Sequence, residues 1–179
     1  MSPAPNWEAI LRDYDRRQCC GCDEQIAWFQ RQPSLRAAID TAARAVDSRG
    51  RRFSHQYRIR RGAIGEATAA LLAIEKQLAR ANSFEALFEL VSKQLQDVAG
   101  IGALYWYDTA FRIGAYRRLF PLCVYLHAGT RTGARALGLD YRKNALEMSE
   151  IPAALLKRKP HEVEDILCMY KDWLYLFTG

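Results

Sequence analysis

Between Ser48 and Gly62 the chain reads SRGRRFSHQYRIRRG, with Arg49, Arg51, Arg52, Arg58, Arg60 and Arg61 and no acid between Asp47 and Glu66. Phe53, His55 and Tyr57 are interleaved with the arginines. A guanidinium forks onto phosphate oxygens and an aromatic ring stacks on a base or sugar, so this mixture suits contact with a nucleic-acid strand. The alternative is a solvated loop joining two helices, with Phe53 and Tyr57 turned into the core. The missing acid favours an electrostatic role, for which Arg58, Arg60 and Arg61 are the candidates.

Two further places offer phosphate contacts. Gly100-Ile101-Gly102 lies between two apolar helical runs. Gly100 and Gly102 permit a tight turn and a close backbone approach, and the helix that follows presents its free N–H groups. Downstream, Gly129 or Thr130 can cap a helix on which Arg131 and Arg135 lie about one turn apart, a second basic helix start. Asp108 and Arg112 have the i,i+4 spacing of a surface ion pair. Cys19 and Cys22 have the C-x-x-C spacing of a metal or redox pair. The remaining candidate ligands, Cys123, Cys168, His55, His127 and His161, are scattered in sequence, so inert thiols are expected, with no metal and no cofactor.

These residues need helices to hold them. Trp7, Ile10, Leu11 and Tyr14 line a first helix from Trp7 to about Arg17, capped by Asn6, and a second covers Asp23–Gln32. A third starts at Pro33-Ser34 and runs to about Val46. A long one spans Ile64–Ala81, and Asn82 with Glu85 forms a capping box for the next, which carries Phe84, Leu87, Val91, Leu95 and Val98 into the glycine turn. Ala103–Tyr116 follows the turn. Cys123–Leu126 is extended, a glycine-interrupted helix ends at Gly138, and Asp140–Leu146 connects. Ser149 caps a short helix over Ile151–Leu156. Pro160 opens the last helix, which buries Val163, Ile166, Leu167, Tyr170, Trp173 and Leu174. No alternation is long enough for a sheet. The expected fold is a single all-α domain of 179 residues in some eight or nine helices, with residues 1–33 as an N-terminal extension. Half the residues are apolar and 26% are charged, which excludes wholesale disorder. The net charge of +6 favours an acidic partner, nucleic acid first. No run of about 18 apolar residues and no signal-peptide core is present, and the odd set of five cysteines fits reduced thiols, so a cytoplasmic protein without a membrane partner is expected.

The glycine turn resembles the helix-hairpin-helix element of DNA-binding proteins, and of the DNA glycosylase superfamily built around it. In that superfamily a Val-Asp-Val-His-like piece follows about twenty residues after the hairpin. Here Val124-Tyr125-Leu126-His127 stands at that spacing, with Tyr125 where the family has its aspartate. Leu104 occupies the hairpin position of the Schiff-base lysine of bifunctional members, so the resemblance implies a monofunctional enzyme. Such an enzyme rotates a damaged or modified base out of the duplex, stacks it on an aromatic and stabilises the sugar cation with a carboxylate. Asp108 is the nearest carboxylate to the hairpin, Tyr105, Trp106 and Tyr107 with Tyr125 are the candidate base pocket, and His127 is the candidate acid–base group. Excision of a lesion in host DNA and of a modified base in phage DNA are equally compatible with this reading. The alternatives are a DNA-binding module without catalysis, and a helical protein-interaction domain whose Gly-Ile-Gly is only a short turn.

Overall fold

A computed structural model describes residues 5–18 and 22–175. Within them the chain forms ten α-helices and one two-stranded antiparallel ladder of two residues per strand, so the fold is all-α. The chain divides into two compact units. One is the contiguous stretch that ends at Phe120. The other joins the first helix to the chain from Pro121 onward.

The contiguous unit holds α2 (Cys22–Gln30), α3 (Leu35–Arg44), α4 (Arg61–Ala73), α5 (Glu75–Arg80), α6 (Phe84–Leu95) and α7 (Ala103–Arg117). α7 is its centre and packs on α2, α3 and α6, while α3 also packs on α4. Ser34 Oγ accepts from Ala37 N–H at 3.1 Å and starts α3, whose small inner face of Ala38, Ile39, Ala42 and Ala43 is fully buried. The helix stops two residues short of the expected end because Ala45 turns left-handed, at φ 56°. The cap of α6 is Ser83, not Asn82: its hydroxyl accepts from Ala86 N–H at 3.1 Å. The expected long helix begins three residues early, at Arg61, and breaks at Ile74 into α4 and α5. The glycine turn is present between α6 and α7, with Gly100 at φ +84° and Ile101 buried beneath it.

The second unit holds α1 (Trp7–Gln18), β1 (Val124–Tyr125), α8 (Ala128–Ala136), β2 (Ala145–Leu146), α9 (Pro160–Met169) and α10 (Lys171–Tyr175). Its core joins Ile10 and Tyr14 of α1 to Val124, Leu146, Leu155, Val163, Ile166 and Leu167. α1 is held at its polar edge as well: Tyr170 Oη donates to Asp13 at 2.8 Å, and Arg158 donates both ends of its fork to Asp15 at 2.7 and 2.8 Å. α8 starts at Ala128 with His127 as its N-cap, so neither Gly129 nor Thr130 is the cap. The expected helix over 151–156 is instead two 3-10 turns, Met148–Glu150 and Ala153–Leu155, separated by Pro152. The last expected helix breaks at Tyr170 into α9 and α10, and Trp173, expected in the core, is exposed.

Candidate nucleic-acid interface

The arginine loop of the contiguous unit is structured from within. Arg52 bridges to Val46 across the loop and sends its Nη1 to the Ile59 carbonyl at 2.9 Å. A 3-10 turn, Ser54–Gln56, follows, and its last residue is fixed to α7. Gln56 is buried and donates Nε2 to Asp108 at 2.6 Å, while its Oε1 accepts from Arg112 Nη1 at 3.1 Å. Asp108 also faces His55 Nε2 at 2.7 Å and Arg112 Nη2 at 3.6 Å. A carboxylate only accepts, which places the imidazole hydrogen on Nε2 and leaves Nδ1 of the half-exposed His55 without a partner among the described residues.

Arg112 is therefore no surface ion-pair partner. It is 2% exposed, its guanidinium lies 4.1 Å from the Phe53 ring centre, and its Nε makes no hydrogen bond among the described residues. Burial pushes its pKa down, against the opposing pull of the Asp108 charge. Phe53 covers the cation, which replaces part of the lost hydration. The cluster as a whole pins the loop to α7 by charge.

Beyond the pinned turn the loop opens outward. Tyr57 is 61% exposed, and Arg58, Arg60 and Arg61 are exposed with no ion-pair partner among the described residues. They border a groove of about 1010 Å³ with an apolar floor of Ile59, Ile64 and Leu72. Asp40, also in its wall, is committed to Arg44 at 2.9 Å. α4 begins here, with Arg60 extended at the cap position and no side chain closing the helix start. The first N–H groups of α4 thus point out among three unpaired guanidinium groups, a field that suits an anion. A Cβ added at Gly62 or Gly65 would meet nothing, so the helix start is open on that side too.

The glycine turn provides a second open helix start. Gly100 and Gly102 are both exposed, neither has a neighbour within 4 Å of an added Cβ, and Gly102 caps α7 in extended backbone with no side-chain bond. The aromatic residues behind it are differently placed from the expected base pocket. Tyr105 is buried and donates to the Ala43 carbonyl, and burial raises its pKa to about 12. Tyr107 is buried among Phe84, Phe88 and Phe111. Neither ring has a face free for stacking. Trp106 is half-buried, with its indole N–H unpaired among the described residues.

In the other unit, His127 is buried and its Nε2 bonds Glu164 Oε1, also buried, on α9. Tyr125 is half-buried in β1. Thr130 is buried, and its hydroxyl takes the His127 N–H at 2.7 Å, closing the start of α8 from inside. Arg131 is occupied with the Tyr141 and Lys143 carbonyls at 2.7 and 2.8 Å, and so clasps the loop before β2. Gly129 is in contact with Cys168, and Arg135 is exposed over the Tyr141 ring. Of the phosphate contacts expected at α8, Arg135 alone is exposed and outside this packing. Among the described residues no three His, Cys, Asp or Glu side chains form a metal-binding group. The C-x-x-C pair lies outside the described side chains, and no described helix is long and apolar enough to cross a membrane.

The chain matches no known family model, no curated protein and no solved structure. Its own geometry is the guide to its chemistry. Three features of that geometry were not expected from the sequence: the start of α4 at Arg61, the bond between His55 and Asp108, and Glu164 as the partner of His127. The Gly62 and Gly65 pair was the available signal for the first, since glycine near a helix start leaves the backbone bare.

Proposed function

We propose that this protein binds nucleic acid, DNA foremost, through its phosphates, with the groove beside α4 as the main contact. The observation that carries this reading is the set Arg58, Arg60 and Arg61, exposed and unpaired around an uncapped helix start. Neighbouring Arg44 and Arg51 each find an acid, Asp40 and Asp47. Three that do not, beside free N–H groups, make a positive field that suits a phosphate chain. The open turn at Gly100 and Gly102 adds a second contact of the kind the helix-hairpin-helix resemblance implies.

The test is binding of a labelled oligonucleotide across a salt series. Each neutralised phosphate releases counterions, so affinity falls steeply with salt, and Arg58→Ala/Arg60→Ala/Arg61→Ala should lower the log–log slope by about 2–3. A slope unchanged in the triple variant would remove the groove from the contact surface.

A second reading is an atypical monofunctional DNA glycosylase, and Asp108 beside His55 favours it. The base leaves with the glycosidic bond electrons, the sugar carbon becomes cationic, and water adds with loss of a proton. Asp108 would stabilise the cation, while His55 Nδ1 would take the proton from water. Incubation with duplexes carrying uracil, alkylated purines, oxidised guanine or modified cytosine, followed by alkaline cleavage, reports base release. His55→Ala is the informative variant because its side chain is 45% exposed and its loss leaves no large cavity. Release that persists in His55→Ala would remove it from the mechanism, and no release on any substrate would leave binding alone.

A further inference from the structure

The geometry points to single-stranded rather than duplex nucleic acid as the ligand of the α4 groove, with Tyr57 as the surface on which an unpaired base stacks. This rests on the nucleic-acid reading above. The observation is the placing of Tyr57. A 61% exposed aromatic ring loses hydrophobic stabilisation compared with a buried one, and this loop does not turn it inward. Instead the buried side chains Gln56 and Arg112, bonded to each other and to Asp108, fix the turn so that Tyr57 emerges beside Arg58, Arg60 and Arg61. The network sets the ring position before any ligand arrives, which lowers the ordering cost of binding.

A base within a duplex is stacked on both faces and offers no π-face to a side chain. An unpaired base does, and stacking on an aromatic is worth about 1–3 kcal/mol per base, whatever the base. The groove volume of about 1010 Å³ is that of a large ligand pocket, which takes a short run of one strand. Its composition fits the same ligand: guanidinium groups at the rim for the phosphates, and Ile59, Ile64 and Leu72 below for a base or sugar. Stacking on a ring face does not depend on which base is present, so the binding should be tolerant of sequence.

The experiment compares a fluorescein-labelled thymidine oligomer of about 12 nucleotides with a duplex of the same length at low salt. The full chain should bind the single strand about tenfold more tightly than the duplex. Tyr57→Ala should weaken single-strand binding about tenfold and leave duplex binding unchanged, while Tyr57→Phe keeps wild-type affinity. Equal or tighter duplex binding, or a Tyr57→Ala variant that holds the strand as well as wild type, would overturn the inference. If the duplex wins and its salt slope still depends on Arg58, Arg60 and Arg61, the phosphate-binding reading stands and only the single-strand preference falls. If neither oligonucleotide binds, both fall together.

Discussion

Arg112 is buried deep in its unit, and the residues around it show how one cation can organise a surface loop. Its charge is met by Asp108, its Nη1 by Gln56 and its flat face by Phe53. Removing Asp108 leaves that charge under-compensated, so Asp108→Asn should cost about 3 kcal/mol in urea denaturation. A loss below about 1 kcal/mol would show that Gln56 and Phe53 suffice. A loss of base release in that variant therefore counts as catalytic only if the folded fraction is held equal. The i,i+4 spacing of Asp108 and Arg112 was legible in the sequence, but the side of α7 they occupy was not, because Gln56 reaches them from 52 residues away in the chain. Tyr105 gives a second prediction at this scale. An unfolded tyrosine ionises near 10 and Tyr105 near 12. Between those values the unfolded chain gives up a proton that the fold retains, so stability is whole below pH 10 and falls as pH rises. The contribution is about 1.4 kcal/mol by pH 11. The drop in unfolding free energy from pH 9 to 11 should be smaller by about that much in Tyr105→Phe, and equal drops would assign it elsewhere.

Helices with a clean three- and four-residue apolar rhythm were readable: α1, α3, α6 and α7 all stand close to their expected places. What the rhythm does not encode is where backbone turns away from helix without a glycine or proline, as at Ala45 and Ile74, because packing decides there. The ladder of β1 and β2 was hidden for a related reason, since two residues per strand are too few to alternate. The turn between α6 and α7 separates two uses of glycine. Gly100 sits at φ +84°, so Gly100→Ala should cost about 1–2 kcal/mol of stability. Gly102 has ordinary extended backbone and open space, so Gly102→Ala should leave the thermal midpoint unchanged while weakening DNA binding if phosphate approaches there. Equal destabilisation by the two variants would contradict this division. In α8, Gly133 serves packing alone: an added Cβ would collide with the Leu167 carbonyl of α9. Gly133→Ala should lower the thermal midpoint by several degrees with no change in the salt slope of binding.

At the scale of the molecule, 26 basic against 20 acidic side chains is a small excess, and its placing matters more than its size. Many of the cations are paired at home, for example Arg12 with Glu8, Arg17 with Asp13 and Lys143 with Glu150. Arg58, Arg60 and Arg61 around α4 face outward, and the run of basic residues without an acid between Asp47 and Glu66 already marked them in the sequence. That part of the candidate site was legible. The depth of His127 and the core position of Tyr105 and Tyr107 were not, because a residue type beside a motif does not reveal which way its helix is turned. The joining of α1 to the chain beyond Pro121 also sets an order of events during synthesis. Its tethers, Asp13 to Tyr170 and Asp15 to Arg158, span 157 and 143 residues. The stretch that ends at Phe120 is contiguous and can form its own core as soon as it clears the ribosome. α1, made well before α9, must wait roughly ten seconds for it at translation rates of about 5–20 residues per second. A twelve-residue helix is marginal alone. During that interval Ile10 and Tyr14 are the apolar surface that a nascent-chain chaperone would find, and a stall near Phe120 would prolong it.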